Sequence, residues 1–233
     1  KNLSVKVGEK QILNQISFDF GTGKNYCILG KNGSGKSSLA MTLAGNPKYE
    51  ISEGELLLDG QNLTEMTPDE RNKAGIFLTF QNIPEVPGVK LFEFLKTIYD
   101  ARAEKPSTFL EFKKIIEPLM AELEIEKAFL WRDLNVGFSG GEKRKIEVLQ
   151  IKLLKPKYII LDEIDSGLDV NAVRQVAELL KAVNTQENSF IVITHLFEML
   201  QELPLEKILI LEQGKIKAIG GRELMEQVRK EGF

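Results

Sequence analysis

The chain has 233 residues, enough for one large domain, and a net charge of −3, which excludes a surface built mainly to hold nucleic-acid phosphates. Its 42% hydrophobic share supplies a sizeable core, and 28% charged residues is ordinary for a soluble protein. Cys27 is the single cysteine, so no disulfide can form within the chain and its cysteines alone make no metal or iron–sulfur site, a composition suited to a reducing compartment.

Residues 1–20 and 55–59 alternate apolar and polar side chains and predict antiparallel strands. Residues 26–29 form a compact apolar run that ends in a Gly-rich turn. Residues 36–44 then predict a helix, closed by Gly45 with Pro47 beyond it. Residues 91–154 differ, with few β signals and several helical patterns. The spacing of Ile115, Ile116, Leu119 and Leu123 is helical, and Pro118 is a candidate break or restart. From Lys157 the β-type runs return at 158–161, 190–194 and 208–211. The alternation predicts one α/β domain. Residues 1–90 and 155–233 read as its core with an antiparallel β portion, and 91–154 as an inserted helical lobe. No apolar run approaches the roughly 18–20 residues of a membrane span, and no signal-peptide pattern opens the sequence. We therefore expect a cytoplasmic chain with no direct membrane insertion and no nucleic-acid partner.

Gly30-Lys31-Asn32-Gly33-Ser34-Gly35-Lys36-Ser37 fits the P-loop pattern G-x-x-x-x-G-K-[ST]. It lies after an expected strand and before an expected helix, as the chemistry requires. Glycines let backbone N–H groups wrap round phosphates, and the helix N-terminus adds partial positive charge. Lys36 is expected to reach the β- and γ-phosphates of ATP, Ser37 to ligate Mg²⁺, and Ser38 to lie among the nucleotide contacts. The run 158–163 is an apolar strand that ends in Asp162 and Glu163. Ligands of open α/β sheets bind at the carboxyl ends of strands. Asp162 is therefore expected beside Mg²⁺, directly or through water, and Glu163 as the general base that polarises the attacking water. Phe138-Ser139-Gly140-Gly141-Glu142 opens a further helix. There Ser139 is a good N-cap and Glu142 completes a capping box. The Ser139 hydroxyl and the Gly140 and Gly141 N–H groups also make an anion site, so one chain carries two phosphate sites.

With these motifs in this order, the chain resembles the ABC ATPases over nearly its whole length. The resemblance implies an ABC-type nucleotide-binding domain: a P-loop (RecA-like) core, an antiparallel β subdomain and an inserted helical subdomain that carries the signature motif. It implies that Ser139, Gly140, Gly141 and Glu142 bind the γ-phosphate of ATP held on a partner copy, in an ATP-dependent self-dimer. Gln81 resembles the glutamine that joins the metal site to the helical lobe. Asp169 closes Ser166-Gly167-Leu168-Asp169, which looks like the loop that crosses the dimer, and His195 resembles the switch histidine at the γ-phosphate. Where many ABC ATPases stack an aromatic residue on adenine, this chain has Val7. An aliphatic, weaker adenine contact and low base selectivity are expected.

Within that family the chain resembles the SufC family, ATPase subunits of the SUF iron–sulfur assembly machine. The stretches 45–54, 80–89 and 162–170 carry this resemblance. Ile164-Asp165 follows the two acids where transporter subunits carry Pro-Thr, and Glu142 stands where transporters usually have Gln. Two places depart from the SufC pattern: Leu196-Phe197-Glu198 after His195, and Ile146 in place of an expected Asn. The resemblance implies SufB- and SufD-type scaffold partners, with the 84–89 loop as a partner contact and the cluster ligands on the partners. The ATPase subunit of an ABC membrane transporter is the alternative. A cytosolic ABC protein of DNA repair or translation would bring tandem domains, long insertions or a basic surface, and none is visible.

Overall fold

The computed structural model describes residues 1–164, 168, 170–194, 200 and 203–232. It divides into two compact units: Lys1–Thr79, Pro156–Ile164 and Asn184–Phe233 in the first, Phe80–Lys155 and Asp165–Val183 in the second. The first holds β1 (Leu3–Val7), β2 (Lys10–Ile16), β3 (Asn25–Leu29), β4 (Glu50–Glu53), β5 (Leu57–Leu58), β6 (Gln61–Asn62) and β7 (Ile76–Leu78). Its helices in this stretch are α1 (Lys36–Leu43) and α2 (Pro68–Ala74). The second holds β8 (Val86–Lys90), α3 (Leu91–Asp100), α4 (Phe109–Glu122), β9 (Asp133–Leu134), α5 (Gly140–Leu154) and α6 (Val170–Val183). The first unit resumes with β10 (Tyr158–Asp162), β11 (Ser189–Ile193), β12 (Leu205–Glu212), β13 (Lys215–Gly220) and α7 (Arg222–Glu231).

The first unit is an α/β fold around a six-stranded sheet of order β13-β12-β3-β11-β10-β7. All neighbours run parallel except the antiparallel β12–β13 pair. Every residue of β3 and β11 is buried. These strands therefore read as continuous apolar runs rather than alternating ones. A second, antiparallel sheet of order β2-β1-β4 packs its Leu3, Val5, Leu13 and Ile16 into the same core as Ile28, Leu39, Ile160 and Leu209. The expected strand at 55–59 is reduced to β5, paired with β6 across a short hairpin. Cys27 lies at the centre of β3, fully buried, and burial pushes its thiol pKa well above the ordinary value. It is an inert core residue there.

In the second unit α5 is buried on most of its circumference and packs against α3, α4 and α6. The expected break at Pro118 does not occur, and α4 runs unbroken from Phe109 to Glu122. Two features of the sequence explain this. The capping box of Thr108 and Glu111 fixes the helix start, and Phe112, Ile116 and Met120 bury one continuous stripe completely. Burying such side chains gains about 1.5–3 kcal/mol each, more in total than the roughly 3 kcal/mol a helix-interior proline costs. Pro118 itself lies on the exposed face. Among the described residues no helix is long and apolar enough to cross a membrane.

Candidate active site

In the first unit the site residues gather at the carboxyl edge of the parallel sheet. β3 delivers the glycine loop and β10 delivers Asp162 and Glu163, with β11 between them. Neighbouring strands lie about 4.8 Å apart, so the two motifs start about 10 Å apart and only side chains and the first turn of α1 close the gap. Backbone shape sets that turn. Gly30 and Gly35 have φ of +153° and +109°, where a side chain is strained. A Cβ on Gly30 would also lie 2.3 Å from the Leu211 carbonyl oxygen, and one on Gly35 2.8 Å from Leu13 Cδ2. The chain can therefore bend tightly out of β3 and enter α1 at Lys36. Lys31, Asn32 and Gly33 stay exposed, Ser34, Gly35 and Lys36 are buried, and Ser37 and Ser38 are half-buried.

The Lys36 ammonium donates to the carbonyl oxygens of Gly30 at 2.8 Å and Lys31 at 3.2 Å. Burial pulls its pKa below the usual lysine value, and the Glu163 and Asp162 carboxylates oppose that shift. Beside it, the Ser34 hydroxyl is buried without a hydrogen-bond partner. A desolvated cation on carbonyl oxygens next to an orphaned hydroxyl suits an anion rich in acceptor oxygens.

Ser37 Oγ donates to Asp162 Oδ1 at 3.2 Å. Asp162 is 1% exposed. Burial raises its carboxyl pKa, Glu163 adds to the rise, and the Ser37 hydroxyl and Lys36 work against it. A cation at this carboxylate would relieve the cost of keeping it charged, and a hydroxyl with a carboxylate is an oxygen donor set fit for Mg²⁺. Thr79 holds the carboxylate's backbone: its hydroxyl accepts from the Asp162 N–H and donates to the Ile160 carbonyl, both at 3.3 Å. Glu163 is half-buried with φ of +48°, and its N–H donates to the Ile193 carbonyl at 2.8 Å. Left-handed backbone at a non-glycine residue costs of order 1–3 kcal/mol and clusters at functional sites. Val7 ends β1, half-buried and paired with Lys10 across the hairpin.

In the second unit Ser139 caps α5. Its hydroxyl accepts from the Glu142 N–H at 3.3 Å, and its own N–H donates to Glu142 Oε2 at 2.7 Å. That second bond is the main reason the Glu142 carboxyl lies below its usual pKa. Ser139 and Gly140 are exposed. Gln81 is exposed too, and its carbonyl accepts from Arg144 of α5 at 3.3 Å. Asp169 and His195 lie outside the described residues, as do most of the residues around each.

Sequence reasoning missed Thr79, Arg144 and Glu147. Thr79 follows a strand of three residues, Ile76–Leu78, too short to show a period. Arg144 and Glu147 stand in a charged run that reads as solvated, yet they form a buried pair at 2.7 Å with 4% and 6% of their side chains exposed.

The family described as "ABC transporter" matches residues 13–166. The chain is 41% identical to "Probable ATP-dependent transporter ycf16" of Antithamnion sp., over all of this chain and 94% of that protein. It is 38% identical to "Probable ATP-dependent transporter SufC" of Escherichia coli (strain K12), over all of this chain and 96% of that one. Among solved structures, the "Dimeric Structure of MJ0796, a Bacterial ABC Transporter Cassette" is similar in fold, with a TM-score of 0.79 at 22% identity, covering 94% of this chain and 96% of that chain. The glycine loop after β3, the acids after β10, the capped SGG helix and these full-length likenesses agree. The chain belongs to the ABC transporter family, as an ATP-binding and ATP-hydrolysing cassette of the SufC-like kind.

Proposed function

We propose that this ATPase is the motor subunit of a SUF-type iron–sulfur assembly machine, working as a pair of copies on SufB- and SufD-type scaffolds. Each copy holds ATP on the 30–38 loop, with Lys36 on the β- and γ-phosphates and the Ser34 hydroxyl and loop N–H groups as further donors. Ser37, Asp162 and Gln81 would hold Mg²⁺, which when bound neutralises phosphate charge and fixes the oxygens it touches. Glu163 takes the proton of the attacking water. Ser139, Gly140, Gly141 and Glu142 receive the γ-phosphate of the partner copy's ATP, while His195 and Asp169 complete the contacts. Val7 faces adenine without a stacking ring. ATP binding favours the closed pair alone, so hydrolysis returns it to the open state and moves the attached scaffolds.

One observation carries the SUF reading: the full-length similarity, at 38–41% identity, to proteins that include SufC of Escherichia coli. It takes in the 45–54 and 80–89 stretches, and the latter supplies the proposed scaffold contact just after Gln81. The test is a pull-down of the tagged chain from its native host. Recovery of SufB-like proteins is the expected result. Recovery of an integral membrane permease instead would overturn the reading in favour of a transporter subunit.

A further inference from the structure

The charged pair missed by the sequence lies between the two site segments of the second unit. Glu147 Oε1 accepts from the Phe80 N–H at 2.9 Å, and its Oε2 accepts from Arg144 Nη1 at 2.7 Å. Arg144 Nη1 donates to the Phe80 carbonyl at 2.7 Å, and its Nη2 donates to the Gln81 carbonyl at 3.3 Å. The backbone on both sides of the Phe80–Gln81 peptide is therefore gripped by one ion pair. Both charged residues belong to α5, which Ser139 opens. No other element is needed to connect Gln81 with the signature N-terminus.

The grip has features of a positioning device more than of a stabilising one. Burial pushes the Glu147 carboxyl pKa up, against the pull of Arg144 and the Phe80 N–H, so its charge is kept at a cost. Burying an ion pair is commonly neutral or unfavourable for stability compared with apolar side chains of similar volume. What the pair supplies is directionality. An arginine fork and a carboxylate together fix an amide donor and two carbonyl acceptors in one geometry. Further bonds hold the segment that follows. Lys143 pairs with Glu85 at 2.8 Å, Asn135 donates to the Pro84 carbonyl at 2.9 Å, and the Gly88 N–H donates to Asp133 at 2.9 Å. These three bonds fall on Pro84, Glu85 and Gly88, past the peptide that the Arg144–Glu147 pair grips.

We propose that Glu147, acting through Arg144, is a positioning residue for Gln81, tying the placement of that glutamine to the helix whose N-terminus receives the partner copy's phosphate. This rests on the reading of Gln81 as a contact of the metal site. A carboxamide displaced by about 1 Å from its working place lowers turnover by about 10- to 100-fold without weakening the phosphate contacts of the other unit.

The experiment is a double-mutant cycle on the full chain, measuring kcat at saturating Mg-ATP, ATP affinity by calorimetry and the thermal melt. Glu147→Gln is expected to lower kcat by about 10- to 100-fold with ATP affinity within about twofold of wild type. Gln81→Ala is expected to lose a similar factor. The double variant should be no slower than Gln81→Ala, since residues that act through one another do not add. Because Glu147→Gln can destabilise the fold, the paired variant Arg144→Met with Glu147→Leu is measured beside it. It removes both charges, should melt near the wild type, and should show the same loss of kcat. Losses that multiply in the Glu147→Gln/Gln81→Ala variant would overturn the proposal. So would full turnover in the stably folded Met/Leu variant while Gln81→Ala is slow. An inert Gln81→Ala would instead overturn the reading of Gln81 itself, and the proposal with it.

Discussion

Glu163→Gln is expected to lower steady-state ATP hydrolysis by about 10²–10⁴-fold while leaving ATP binding near the wild-type level, because the amide keeps the shape but cannot accept the water's proton. The backbone strengthens this choice of variant. Glu163 sits at φ +48° with its N–H on the Ile193 carbonyl, and glutamine makes the same backbone demands as glutamate. The substitution therefore leaves the backbone as it is and replaces the proton-accepting carboxylate. It also removes a negative charge that acts on both Lys36 and Asp162. Loss of that charge eases ionisation of the Asp162 carboxyl but also lessens the hold on the Lys36 proton, two effects of opposite sign on binding. The check is phosphate release by the purified variant, alongside calorimetry with ATP. Wild-type turnover would remove Glu163 from the chemistry.

Lys36→Ala is expected to weaken both binding and turnover. The ammonium is buried on the Gly30 and Lys31 carbonyls, so its desolvation is already spent before a nucleotide arrives. A charged hydrogen bond is worth about 1.5–3 kcal/mol, which converts to about a 10- to 150-fold loss of ATP affinity. The charge serves ground state and transition state alike, so kcat/KM should fall by at least the same factor. Alanine also removes the ammonium from the Gly30 carbonyl and leaves the Lys31 carbonyl with the Ser34 N–H at 3.1 Å, which loosens the loop's shape. Calorimetry with ATP reads the first effect and steady-state kinetics the second. Unchanged affinity would place Lys36 away from the phosphates.

The parts legible in the sequence are those where one local rule decides. Glycines at fixed offsets before a Lys-Ser helix start specify the loop, since a Cβ at Gly30 or Gly35 would clash. A capping box writes its own helix start, and Ser139 with Glu142 does so. Fully buried parallel strands show as plain apolar runs, as at 26–29 and 190–193. What stayed illegible depends on tertiary partners. Arg144 and Glu147 stand among Glu142, Lys143 and Lys145. Composition cannot tell a solvated charge from one buried against the backbone of residue 80, sixty-odd positions away. Pro118 reads as a break because the local rule is stated without the Phe112–Ile116–Met120 stripe that overrides it. β13 alternates half-buried and exposed residues. Its run is set by pairing with β12, not by an apolar signal of its own.

In the proposed function the two phosphate sites of one chain complete each other between two copies. Ser139 lies in the second unit and Lys36 in the first. The decisive experiment is sedimentation of Glu163→Gln with and without Mg-ATP, repeated after adding Ser139→Arg. The expected result is a monomer without nucleotide, a dimer with Mg-ATP, and a monomer again in the double variant even though it still binds ATP on its own loop. A double variant that dimerises with Mg-ATP as fully as Glu163→Gln alone would contradict it.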